Sequence, residues 1–125
     1  MNKRLYCKIE TVSILTEANS RILETKNAML SMNEGLTSAI DSRRSCPRLA
    51  SHTASVARDT VNRLKESNDF FSLRIGNLLG FCIGNSLTKR ERTVLQDIKE
   101  NVEEVSDSLK SKAIDDTLGI LELLE

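Results

Sequence analysis

The sequence predicts an all-α fold: an elongated antiparallel helical hairpin or coiled-coil bundle, with a third helix and a short C-terminal one. Three observations predict it. Aliphatic side chains recur every seven residues along most of the 125-residue chain. The chain has one proline, no tryptophan, one tyrosine and three phenylalanines, so a thick globular core has few aromatics to build on. Charged residues make up 29 %, a proportion that suits long helices with narrow apolar seams. The length is that of one domain.

The first helix is expected over residues 2–42. Leu15, Ile22, Met29 and Leu36 repeat every seven, and Ala18, Met32 and Ala39 fill the offset of three. Thr25 is the polar member of that seam. Leu5, Ile9 and Val12 form a slightly rotated stripe nearer the start. A loop is expected over 43–48, where Pro47 follows Cys46 among Arg43, Arg44 and Arg48. So short a loop makes the flanking helices antiparallel.

The second helix is expected over 49–84. Ala54, Val61, Asn68, Ile75 and Cys82 share one heptad position, and Ala50, Ala57, Leu64, Phe71 and Leu78 share the other. Asn68 alone is polar, and a polar seam residue costs stability while fixing register. Gly84-Asn85-Ser86 reads as a left-handed cap and turn. Thr88-Lys89-Arg90-Glu91 matches a capping box that opens a third helix over 88–111. Its seam is Leu95, Ile98, Val102, Val105 and Leu109, and its opposite face carries Lys99, Glu100, Glu103, Glu104 and Asp107. A last helix over 115–125, capped by Asp115 or Asp116, carries Leu118, Ile120, Leu121, Leu123 and Leu124. These leucines are too dense for a solvated tail.

From residue 70 to 84 the second helix is apolar nearly all round, with Gly76, Gly80 and Gly84 four apart on the face away from the seam. Two interior glycines cost a helix about 2 kcal/mol. A second helix packed closely on that side recovers the cost, and the leucine-rich last segment or a partner chain is the expected occupant. A second reading makes Gly76 and Gly80 the point where the helix kinks or ends early, with 77–86 a loop. The same spacing also supports helix contact in lipid. The run is shorter than the ~20 residues needed to span a bilayer, and it contains Arg74 and Asn77.

Charge is balanced overall but not locally. Residues 1–94 hold 15 Lys/Arg against 9 Asp/Glu, whereas residues 95–125 hold 3 against 9. The acidic end is expected to lie against the basic part, in the same chain or a neighbouring one. Cys7, Cys46 and Cys82 are odd in number and far apart, which predicts a reduced intracellular protein, cytoplasmic or nuclear, with no disulfide frame and no zinc site.

No enzyme is expected, and no cofactor or metal. His52 is the sole histidine and reads as a surface residue; Cys82, on the seam, reads as a small buried hydrophobe. Ile114, Leu118, Leu121 and Leu123 have the spacing of a nuclear export signal, a degenerate pattern that any amphipathic helix produces. In LTKRERTVLQDI, the residues Leu87, Thr88, Arg90, Glu91, Arg92, Val94, Leu95 and Ile98 resemble the opening helix of the LuxR-type helix-turn-helix domain. That resemblance implies a DNA-binding regulator with a polar turn and a basic recognition helix to follow. The continuation ENVEEVSDSLKSKAIDD is acidic instead, and phosphate repels it.

The leading functional expectation is a non-catalytic scaffold or adaptor subunit. It would assemble with itself or with other helical subunits through Val61, Leu64, Asn68, Phe71, Ile75 and Leu78 on the second helix and Leu95, Ile98, Val102, Val105 and Leu109 on the third. Gly76, Gly80 and Gly84 are assigned to close helix packing. The alternatives are a membrane-active protein using residues 70–87 and a DNA-binding regulator starting at residue 87.

Overall fold

A computed structural model describes residues 2–123. They form α1 (Lys3–Ser42), α2 (Pro47–Phe81), α3 (Lys89–Leu109) and α4 (Lys112–Glu122), with no strand among the described residues. The fold is all-α. α1 and α2 pair antiparallel; α3 and α4 run back along α2 as one interrupted third column. Polar pairs set this order along α2: the Ser106 hydroxyl donates to Asp69 at 3.0 Å, the Ser72 hydroxyl to Glu103 at 3.0 Å, and Arg58 to Glu122 at 2.6 Å.

All ten heptad positions of the second seam are buried, nine of them in α2 and Cys82 just past its end, as are Leu95, Val102, Val105 and Leu109 of α3, with Ile98 packed partly buried beside them. The core divides along the axis. Ile14, Ala18, Phe71, Ile75, Leu95 and Val102 fill one half. Val61, Leu64 and Leu109 lie in the middle, and the alanines of α2 meet Leu36, Ala39, Leu118 and Leu121 at the far end. The small alanines there let α4 approach closely.

Element ends follow local chemistry. Pro47 opens α2 instead of ending the loop, because the first helical position needs no N–H donor. α2 stops at Phe81, short of the expected residue 84, and Gly84 takes φ +84° in the turn that follows, a conformation an L side chain resists. Arg92 holds this turn by donating to the Cys82 carbonyl and, at 3.4 Å, to that of Gly84. Thr88 and Glu91 close a full capping box at the start of α3. α4 begins at Lys112, capped by the Ser111 hydroxyl and not by Asp115 or Asp116, since Ser111 accepts from the Ile114 N–H at 3.3 Å.

α1 is rotated from its expected phase over its first half. Cys7, Thr11, Ile14 and Ala18 face inward, whereas Leu5, Ile9, Val12 and Leu15 are exposed. This phase places Cys7 on Cys82 and Lys8 on Glu91. Thr11 tolerates burial because its hydroxyl donates to the Cys7 carbonyl at 2.7 Å.

The expectation of no disulfide is corrected. Cys7 and Cys82 are bonded, with Cα atoms 6.1 Å apart and a sequence separation of 75. Antiparallel pairing of α1 and α2 is what brings residues so distant in sequence together; Cys46 is free and exposed. The acidic end meets the basic part at Arg58, which contacts Asp115 and Glu122 and whose guanidinium is held more firmly protonated chiefly by the Glu122 bond.

Lys8 reaches Glu91 at 2.6 Å, and this contact, with the Thr88 backbone N–H, pulls the Glu91 carboxyl down to about 2. The folded chain thus holds this carboxyl more acidic than the unfolded chain does. Its stabilisation is fully present above about pH 5 and is lost as pH falls through about 4 towards 2. Solvent screening reduces it to roughly 1 kcal/mol. Glu91→Gln is expected to flatten the acid limb of the urea midpoint between pH 5 and pH 2.5, leaving the neutral limb lower but parallel.

Candidate interaction surface

The residues expected to bind partners lie in the chain's own core. Val61, Leu64, Phe71, Ile75 and Leu78 of α2 and Leu95, Val102, Val105 and Leu109 of α3 are covered by neighbouring helices of the same chain. The hairpin therefore closes within one chain, and any surface left for a partner lies elsewhere.

Asn68 has a local partner. Its amide donates to the Thr25 hydroxyl at 3.2 Å, and that hydroxyl donates to the Arg21 carbonyl at 3.0 Å. The two polar seam residues thus meet each other in the core. A slip of either helix along the other would leave both unpaired, so the pair favours one register. Thr25→Val or Asn68→Leu alone is expected to cost about 1–3 kcal/mol, and the double variant less than the sum of the two. A double-mutant cycle read by urea denaturation checks this.

The glycines occupy three different settings. Gly76 faces α3, where a Cβ would lie 3.7 Å from the Lys99 Cε. Gly80 faces open space, and Gly84 belongs to the turn. The leucine-rich segment does not cover them; α4 packs at the other end of the bundle, on Ala50, Ala54 and Ala57. Leu118 and Leu121 are buried there, Ile120 and Leu123 are exposed, and Leu124 lies outside the described residues.

Along α1 and α2 an open groove of about 770 Å³ is lined by Lys3, Tyr6, Phe70, Leu73, Asn77 and Phe81. Tyr6 and Phe81 meet edge to face, with ring centroids 5.4 Å apart, and the Lys3 ammonium sits 5.1 Å from the Phe81 centroid. Arg74 forms the groove floor by bridging α1: it reaches Glu17 at 2.8 Å, Ser13 at 3.1 Å and Glu10 at 3.3 Å. Beside the groove the outer face of α2 stays bare. Phe70 is 67 % exposed, Leu73 60 % and Phe81 51 %, with Tyr6 at 43 % and Ile83, in the turn, at 70 %. The apolar run over 70–84 was legible in the sequence; Tyr6 and Lys3 of α1 were not singled out, because only the folded hairpin brings them to Phe81.

His52 and the free Cys46 are both exposed, at the opposite end of the bundle. The helix-turn-helix expectation meets a single uninterrupted α3 of 21 residues after the capping box, followed by α4 docked on the core through Leu118 and Leu121. No described helix is long and apolar enough to cross a membrane. No family model matches the chain, no curated protein matches its sequence, and no solved structure matches its fold.

Proposed function

We propose that the chain is a non-catalytic helical interaction subunit, a scaffold or adaptor that assembles through side chains on the outside of its own closed bundle. The observation that carries this reading is the clustering of bulky apolar residues at one end: Tyr6, Phe70, Leu73 and Phe81 line one groove and stay exposed, with Ile83 exposed in the turn beyond. Singly exposed apolar residues are ordinary, whereas a contiguous apolar patch on one face marks an interaction surface. The aromatic content of the patch supports protein contact, since aromatics are enriched among the residues that dominate interface energies.

The Cys7–Cys82 pair bears on where the subunit works. Disulfides are rare in the reducing cytosol. The cytoplasmic or nuclear location expected from an odd cysteine count thereby loses its ground, and an oxidising compartment is the proposed one.

Chemical cross-linking of the full chain, purified and in native lysate, tests the interaction role. Cross-linked species that disappear on Phe70→Ser with Phe81→Ser are the expected result. A chain that runs only at its 14.0 kDa mass in both settings overturns the reading.

A further inference from the structure

The geometry points to one occupant for the bare outer face of α2: a second copy of this chain, docked antiparallel across a twofold axis that passes between Gly76 and Asn77. This inference rests on the interaction-subunit reading and names its partner.

The first support is self-complementarity. A twofold contact requires that whatever one copy presents at a given distance before the axis fits what the other presents at the same distance after it. Counting outward along α2 from the midpoint of Gly76 and Asn77, Leu73 falls opposite Gly80. Leu73 is a protruding side chain. Gly80 is a notch, where an added Cβ would meet nothing within 4 Å. Each copy thus offers one protrusion and one notch, two helical turns apart on the same face, and the twofold seats each in the other. Asn77, exposed at the axis, is a polar residue placed where it penalises a shifted pairing.

The second support is charge. Exposed Glu66 lies two turns before Leu73 on the same face, and Lys3 lies over Phe81 at the other end. Antiparallel docking carries Lys3 of each copy towards Glu66 of the other; parallel docking would set like against like. The formal net charge of zero leaves no overall repulsion between copies.

The third support is area. At the stated exposures the five bulky side chains present roughly 500 Å² per copy, taking ~200 Å² for an aromatic and somewhat less for an aliphatic side chain. With all five covered, two copies bury about 1,000 Å² from these residues alone, close to the lower edge of the roughly 1,200–2,000 Å² that standard specific interfaces use.

Light scattering and sedimentation equilibrium on the full chain, over about 1 to 200 μM, supply the test. The expected result is a dimer. Leu73→Asp weakens it at least ~30-fold with unchanged helicity. Gly80→Leu also weakens it by filling the notch, yet raises the melting temperature of the monomer, because leucine favours helix and meets open space there. This split separates a docking role from a structural one. In a Cys46→Ser background, Asn77→Cys forms a disulfide-linked dimer under mild oxidation and Glu66→Cys does not. A monomer at every concentration overturns the proposal, and so does a dimer indifferent to both Leu73→Asp and Gly80→Leu. A monomer that floats with neutral or anionic vesicles assigns the face to lipid and also overturns it. A monomer that still cross-links to another protein in native lysate overturns self-docking alone and leaves the interaction-subunit reading standing.

Discussion

Val102→Asp abolishes the cooperative thermal transition and most of the helical signal at 25 °C. Val102 is fully buried, inside the core half that also holds Ile14, Phe71, Ile75 and Leu95. A carboxylate there loses its hydration and gains no cation, at a cost of several kcal/mol beyond the ~1.5–3 kcal/mol of apolar burial that valine supplies. Small domains have only about 5–15 kcal/mol in total. Leu64→Asp, beside Val61 and Leu109, has the same outcome from the middle of the bundle. Leu23→Asp is the matched control: Leu23 is exposed on α1, so its replacement shifts stability by about 0.5 kcal/mol or less. Far-UV circular dichroism with thermal melting reads all three. If Val102→Asp and Leu64→Asp both kept the wild-type melting temperature, the assignment of these residues to the core would be wrong.

The second large effect belongs to the cross-link. Joining residues 75 apart in sequence removes loop-closure entropy from the unfolded chain, worth about 4.5 kcal/mol in the chain-entropy treatment. Reduction, or Cys7→Ser with Cys82→Ser, is therefore expected to lower the melting temperature by roughly 10–20 °C at this chain length. The fold itself survives, because the same core half keeps Phe71, Ile75 and Leu95 buried without the bond. Melting with and without a phosphine reductant checks the magnitude. Non-reducing peptide mapping checks the pairing, which leaves Cys46 as the alkylatable thiol. A melting temperature unmoved by reductant would sink the claim.

How much of this could be read from the residues depended on how many constraints each helix carried. The seam of α2 was legible, though its ends were not: its heptad positions are apolar in all but one place, so a single phase fits, and all ten are buried, while the helix opens at Pro47 and stops at Phe81. α3 was legible because Thr88 and Glu91 mark its start and its seam is clean. α1 was half legible. Its first two turns carry apolar residues on two faces, and local hydropathy ranks Leu5, Ile9 and Val12 above Cys7 and Thr11. The choice between the faces is made by Cys82 and Glu91, residues that only the closed hairpin brings near. The cysteine pair was hidden for the same reason. The glycines were recognised as unusual, but one periodicity covered three different settings: a side chain of α3, open space and a turn. The interaction surface was visible as excess apolar character over 70–84, while its lining from α1 depended on the hairpin register.

The interruption of the third column at Lys110 and Ser111 divides the bundle into unequal tenants. α3 is fastened at its start by a capping box, a salt bridge to Lys8 and the Arg92 grip on the preceding turn. α4, only 11 residues long, is below the ~12–15 residues at which a helix holds its shape alone, so it is helical only while Leu118 and Leu121 remain seated. Its helicity is thus borrowed from the face of α2 beneath it, where Ala50, Ala54 and Ala57 seat the leucines and Arg58 holds Asp115 and Glu122.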